Sequence, residues 1–325
     1  MRRRNFMTVL AGAGMYPLCA SAQQKAMPVI GFLGGFAPSM NAQIELEQAA
    51  FRQGLSETGF VEGQNVTIEY HRGEGHLDRL PALAADLVAR KVDVIVTQGG
   101  DPATSAAQQA TSTIPILFHT VNDPVATGFV ASLARPGGNL TGVSMMFAEL
   151  MPKRLELLLE VVPQAKVIGL LANPDELSTE RVLANVQEAA RAKRVDLHIL
   201  KALTESEIDG AFATLVQLQA DGLVLGPTGF RPQIAALALR HSVPAIAPQR
   251  DFVISGGLLS YGPSITAAYY LKGIYAGRIL KGEKAADLPV QQPTTFELVV
   301  NLKTAETLGL KVPPSILARA TEVIE

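Results

Sequence analysis

From Pro28 onward, short β-branched or apolar runs alternate with longer stretches of helical period, and the cycle is run through twice. That alternation constrains the fold more than any other feature, because repeated strand-helix-strand units build parallel sheets with helices on both faces. In the first pass, residues 29–33 read as a strand and 43–58 as its helix. A strand over 66–70, a helix over 77–90, a strand over 94–97, a helix over 104–111 and a strand over 116–118 follow. The second pass runs through a helix at 153–161, a strand at 167–171, a helix at 178–194 and a strand at 196–200. It continues with a helix at 205–219, a strand at 223–225, a helix at 233–241 and a strand at 245–247. The two passes share their punctuation: Asp93 and Pro115 match Asp221 and Pro244, each pair enclosing a buried strand, a helix and an X-Pro entry into the next strand.

Beyond the second pass come a strand over 257–261, a helix over 265–280 with Gly282 near its C-cap position, a Pro-marked segment over 288–293, a strand over 296–300 and a last helix from near Lys303. If the last pieces belong to different bodies, the chain crosses between them three times, near 142, 256 and 292. The expected fold is therefore α/β, with two doubly wound parallel-sheet lobes joined by a hinge. Residues 28–142 with 257–291 make the N-terminal lobe, and 143–256 with 292–325 the C-terminal one. A chain of 325 residues, 48% of them hydrophobic, has enough apolar matter for two cores.

The first 22 residues differ from the rest. Arg2, Arg3 and Arg4 precede a mild apolar run from Phe6 to Leu18, followed by Ala20-Ser21-Ala22, the order of a signal peptide cleaved after Ala22. Arg3-Arg4-Asn5-Phe6-Met7 also resembles a twin-arginine export motif. The expected location is periplasmic. Cys19, the single cysteine, falls inside this segment, so the mature chain has no disulfide. A net charge of −2 offers no basic footprint for nucleic acid. No stretch of about 20 apolar residues interrupts the mature chain.

Catalytic signatures are missing: there is no G-x-S-x-G, H-E-x-x-H, G-x-x-x-x-G-K-[ST] or C-x-x-C. We expect no enzyme activity, no cofactor and no metal. Gly31-Phe32-Leu33-Gly34-Gly35 lacks the spacing of a dinucleotide loop and reads as a strand-to-helix turn. His71, Glu74, His76 and Asp78 read as a solvated loop, and Tyr269 and Tyr270 as helix packing.

In open α/β sheets, ligands bind outside the carboxyl ends of strands, and there this sequence turns polar. After 94–97 comes Gln98-Gly99-Gly100-Asp101-Pro102-Ala103-Thr104, where glycines bare backbone N–H groups and Thr104 adds a hydroxyl, a helix start that can hold a ligand carboxylate without any cation or, alternatively, one that Asp101 or its neighbours cap. After 116–118 come Asn122 and Asp123, the latter the candidate partner of a ligand ammonium or, alternatively, a helix cap. Asn173, Thr228 and Arg250 occupy corresponding strand ends in the second pass. Gly35 lies at the first such turn, and Phe36 and Tyr261 offer aromatic surface or packing.

The residues also carry a specific, collinear resemblance over the whole mature chain. The segments Ile30-Gly31-Phe32-Leu33-Gly34, Asn122-Asp123-Pro124-Val125, Ala134-Arg135-Pro136-Gly137-Gly138-Asn139-Leu140-Thr141-Gly142 and Pro293-Thr294-Thr295-Phe296-Glu297 are very similar to the ABC transporter substrate-binding proteins that include tryptophan- and aromatic amino acid-binding members. The resemblance implies a type I periplasmic-binding fold and a monomer that captures a small molecule, an amino acid or related carboxylate, for the permease subunits of an ABC importer. In one place the chain departs from it: Gly99-Gly100-Asp101 stands where aromatic amino acid binders carry hydroxyl residues. Asp101 would repel a ligand carboxylate, and the ligand need not be an amino acid. The competing readings are a ligand-sensing domain of a regulatory system and an enzyme on the same scaffold.

Overall fold

The computed structural model describes residues 27–35, 41–174, 179–226, 228 and 231–325. The signal segment over 1–22 and Phe36 lie outside them.

Strands β1 (Val29–Gly34), β2 (Thr67–Arg72), β3 (Val94–Gln98), β4 (Ile116–Thr120) and β5 (Leu140–Ser144) form one sheet. Its order is β2-β1-β3-β4-β5 and every pairing is parallel. Helices α1 (Asn41–Glu57), α2 (Leu80–Ala89) and α3 (Asp101–Ala110) connect its strands. Every residue of β3, β4 and β5 is buried, the usual state of parallel strands covered on both faces.

The chain continues through α4 (Met151–Val161), β6 (Val167–Ala172), α5 (Thr179–Lys193), β7 (Asp196–Lys201), α6 (Glu205–Gln217), β8 (Gly222–Leu225), α7 (Arg231–Arg240), β9 (Ala245–Ala247), α8 (Arg250–Ile254) and β10 (Leu259–Pro263). After α9 (Ile265–Leu280) come β11 (Phe296–Asn301), α10 (Leu302–Thr307), α11 (Pro314–Leu317) and β12 (Glu322–Ile324). The second sheet runs β12-β11-β10-β9-β8-β6-β7, parallel throughout except for β10 against β11. Each sheet carries an apolar core on both faces.

The internal repeat is structural. The orders β2-β1-β3-β4 and β7-β6-β8-β9 are the same, and the matched punctuation does the same work in each. Asp93 Oδ2 accepts from the Val29 amide at 2.8 Å, and Asp221 Oδ2 accepts from Lys166 and Val167 at 2.8 and 2.9 Å. The Pro115 carbonyl accepts from Ile95, and the Pro244 carbonyl from Leu223, each at 2.8 Å. Proline suits both positions because only its carbonyl is used.

The segmentation read from sequence needs two corrections. Residues 257–263 do not join the first sheet: β10 pairs with β9 and β11, and Leu258 and Leu259 are buried in the second sheet's core. The chain leaves that sheet after Pro263, where Ser264 caps α9 by accepting from the Ala267 amide. The first crossing also falls later than expected, because β5 holds the first sheet through Ser144. Alongside it lies the third crossing, where the Gln291 amide donates to the Gly142 carbonyl and the Ser144 amide to the Gln291 carbonyl, each at 2.9 Å. Arg154, fully buried on α4, ties the first crossing to the second: its Nη1 donates to the Phe147 carbonyl at 3.0 Å and its Nε to the Tyr261 carbonyl at 2.7 Å.

Helix α9 returns to the first sheet and packs against α1. The contact is backbone on backbone. A Cβ on Gly273 would stand 2.1 Å from the Phe51 carbonyl oxygen, and one on Gly54 2.0 Å from that of Tyr270.

Candidate functional site

Strand order reverses between β1 and β3 in the first sheet and between β6 and β8 in the second, and a crevice outside the strands' carboxyl ends follows from that topology. Gly99 and Gly100 carry β3 into α3 with φ of 94° and 83°, backbone that side-chained residues rarely adopt. Asp101 therefore becomes the first residue of α3, with Pro102 beside it in the first turn. Across from it, Asn122 follows the end of β4 and is 6% exposed. Asn122 Nδ2 donates to Asp101 Oδ2. The remaining side-chain oxygens, Asp101 Oδ1 and Asn122 Oδ1, are buried without a hydrogen-bond partner. Burial pushes the Asp101 carboxyl above its ordinary value, against the neighbouring Thr120 hydroxyl and the Asn122 amide, which pull it down.

The other sequence-derived candidates fall in different surroundings. The Thr104 hydroxyl is fully buried, 2.9 Å from the Thr97 hydroxyl and donating to the Gly100 carbonyl at 3.1 Å, so it braces the turn. Asp123 Oδ1 accepts from the Val125 and Ala126 amides at 2.9 and 3.3 Å, and its Oδ2 lies 3.3 Å from Arg181 on α5. Arg181 also holds Glu149 at 2.6 Å, so it clips α5 to the end of β4 and to the segment leading into α4. Gly35 is buried, its amide donating to the Gln98 carbonyl at 3.3 Å. In the second sheet, Asn173 and Thr228 stand just past β6 and β8. Arg250 opens α8 and forms a two-pronged bond to Glu322 on β12 at 2.6 and 2.7 Å. Tyr261 stacks on Phe296 at 6.0 Å and packs against the second sheet's core. The site residues are thus gathered at the two sets of strand ends, with Asp101 and Asn122 in direct contact and Tyr261 serving the scaffold.

A cavity of about 410 Å³ opens between the two bodies. Gln43, Leu46 and Glu47 of α1 line one side of it, and Arg231, Arg250 and Asp251 the other. Arg231 is held in place at 2.8 Å from Asp251 and 3.1 Å from Gln249.

Sequence reasoning missed what lies under this wall. Glu47 and Gln48 occupy core positions of α1, in the same stripe as Ile44, Phe51 and Leu55, and are 1% and 4% exposed. Gln98 at the end of β3 donates to Glu47 Oε2 at 2.7 Å, and Gln43 donates to its Oε1 at 3.1 Å. Facing them from α9, fully buried Lys272 donates to the Thr97 carbonyl at 2.9 Å, lies 3.3 Å from His119 Nδ1 and sits 3.5 Å above the Tyr269 ring. Burial pulls Lys272 down to about 7, opposed by the negative charge of Glu47. Burial also raises Glu47. His119 is driven well below its ordinary value by burial and by Lys272, so it is neutral. The legible signal was a pair of polar residues at apolar-stripe positions of α1.

Among the described residues, no group of three or more His, Cys, Asp and Glu side chains could hold a metal ion, and no helix is long and apolar enough to cross a membrane.

Of the sequence-derived site residues, Arg250 lines the cavity, whereas Asp101, Asn122, Asn173 and Thr228 stand at strand ends outside its lining. A twice-built α/β unit with polar strand ends is the architecture that comparison with known proteins also finds. Residues 38–324 match the ABC transporter substrate binding protein family, and the chain belongs to it. A tyrosine-binding protein of Clostridioides difficile is 27% identical over 274 residues, 82% of this chain and 78% of that one. The ABC domain from Streptococcus pneumoniae in complex with L-Trp is 26% identical, covers 91% of this chain and 99% of its own, and superposes with a TM-score of 0.81. The ligand-free, open structure of a Clostridium difficile substrate-binding protein with adhesive properties is 27% identical at the same coverages, with a TM-score of 0.72. Substrate-binding proteins of this family are extracytoplasmic and are not enzymes.

Proposed function

We propose that this chain is the receptor of an ABC importer and captures an aromatic amino acid, or a close relative of one, between two lobes. The lobes comprise residues 28–144 with 265–291 and residues 145–264 with 292–325, a division that follows the sheets and the three crossings. The observation carrying this reading is the cavity lined by α1 on one side and by Arg231 of α7 and Gln249, Arg250 and Asp251 beyond β9 on the other, with Pro263, Ile265 and Thr266 of the second crossing also lining it. Two relatives support the ligand class, one a tyrosine-binding protein and the other solved in complex with L-Trp. The higher TM-score against the L-Trp complex than against the open, ligand-free structure supports a closed arrangement here.

In this reading the open receptor takes ligand on one lobe, and contacts to both lobes shift the equilibrium to the closed form by their difference in affinity for the two states. The closed form docks as a monomer on the permease subunits. Export uses the segment over 1–22, and Arg3 and Arg4 point to the twin-arginine route. Calorimetric titration of the mature protein with the twenty L-amino acids tests the proposal. Saturable 1:1 binding of L-tyrosine or L-tryptophan is expected, and binding of neither contradicts the ligand class.

A further inference from the structure

We propose that Asp101 and Asn122 form the subsite that receives an amine of the ligand, and that Asp123, beside them in sequence, takes no part in it. The inference rests on the receptor reading above and deepens it. Asp101 and Asn122 hold each other through one atom apiece, which fixes both side chains and leaves Asp101 Oδ1 and Asn122 Oδ1 as a pair of acceptors. Both are buried and unpartnered, a condition that costs about 1–3 kcal/mol for a neutral group and more for a charged one. They stand at the carboxyl ends of β3 and β4, where the topology puts the crevice.

The chemistry selects the partner. A ligand carboxylate has only acceptors to offer two acceptors, and a hydroxyl has a single hydrogen to donate. An ammonium has three donors and no acceptor, so it serves both oxygens and neutralises the carboxylate. The start of α3 would by itself favour an anion, but Asp101 supplies that charge from within the chain. The burial that raises the Asp101 carboxyl is the kind of strain an arriving cation relieves. Asp123 differs in each respect: two backbone amides occupy one oxygen, Arg181 neutralises the other, and its side chain is 42% exposed. Since Asp101 Oδ1 and Asn122 Oδ1 are shut off from water here, the amine enters while the lobes are apart.

The test compares L-tryptophan and L-tyrosine with their des-amino acids, indole-3-propionate and 3-(4-hydroxyphenyl)propionate, by calorimetry on the mature protein. Wild-type protein is expected to bind each amino acid about 30-fold or more tightly than its des-amino acid. Asp101→Asn, which keeps the shape and removes the charge, should lose about 30-fold for the amino acid and less than about threefold for the des-amino acid. Asn122→Ala provides a second variant if Asp101→Asn fails to fold, and the wild-type comparison needs neither. Equal wild-type affinity for the two members of a pair, or amino acid binding by Asp101→Asn within about threefold of wild type, overturns the subsite. If another L-amino acid binds in place of the aromatic ones, the ligand class falls and that amino acid with its des-amino acid decides the subsite. If no L-amino acid, tryptamine, tyramine or putrescine binds, the subsite falls with the ligand class.

Discussion

Asp123 was a natural choice of ligand contact from sequence, since it follows a buried strand, stands beside Asn122 and precedes a proline. The same residue type at the same place also serves as a turn cap, and nothing in a single sequence tells the two uses apart. In the fold it caps the turn over 123–126 and pairs with Arg181. Asp123→Ala is therefore expected to cost about 1 kcal/mol of stability, the size of a lost cap, while changing ligand affinity by less than about threefold. Thermal melting and titration of one preparation measure both, and a large loss of affinity with an unchanged melting temperature would return Asp123 to the site.

Lys272 is the residue whose role was least visible, because a lysine in an amphipathic helix is ordinarily solvated. Burial lowers it from 10.5 to about 7. Between those values the unfolded chain holds a proton that the folded chain has released, so folding stability rises with pH across the window, and below about 7 the penalty is constant. Of the groups around it, His119 is neutral in the fold and burial holds Tyr269 well above its ordinary value, so neither contributes slope there, and the Lys272→Met comparison keeps Glu47, itself raised by burial, in both proteins. Lys272→Met should flatten the dependence of unfolding free energy on pH between about 7 and 9 by up to one proton's worth. An unchanged slope would show that Lys272 keeps an ordinary affinity for its proton.

At the scale of elements, most of the fold was legible because buried parallel strands leave an unambiguous mark. The apolar runs at β1, β3, β4, β6, β8 and β9 were all found, and Asp93-Pro115 and Asp221-Pro244 aligned the two halves correctly. What failed was the assignment of β10, since a strand carries no label saying which sheet it joins. Its partners, β9 before it and β11 after a long excursion through α9, are fixed only in three dimensions. The five-residue α8 and four-residue α11 are too brief for a helical period, the half-exposed β12 lacks the buried apolar run that marks three-residue β9, and β5 reads as the boundary between the two halves. The α1–α9 contact was hidden for a related reason: a glycine inside a helical pattern signals only weaker propensity until a neighbour is known. Gly273→Ala would drive a methyl into the Phe51 carbonyl, and the helices would have to separate. We expect a loss of about 1–3 kcal/mol in denaturant unfolding, as for overpacked cores, whereas a neutral result would mean that the helices sit further apart than described.

At the scale of the whole molecule, two sheets of matching strand order are connected by three crossings, and a cavity lies between α1 and the second sheet. Arg154 and the short ladder between Gly142, Ser144 and Gln291 bind those crossings together, and in the proposed two-lobed receptor the hinge would lie around residues 145, 264 and 292. The Arg181 clip to Asp123 and Glu149 joins α5 to the end of β4 and to the segment leading into α4. Exposed ion pairs of this kind contribute little each, so the clip can be undone at low cost when the lobes part. Such a device suits a receptor that has to open again to release what it carries. If ligand closes two lobes about this hinge, small-angle X-ray scattering of the mature protein, with and without the amino acid that calorimetry identifies, will show a smaller radius of gyration at saturation and the open value again once ligand is dialysed away. An unchanged radius at full occupancy would contradict that closure.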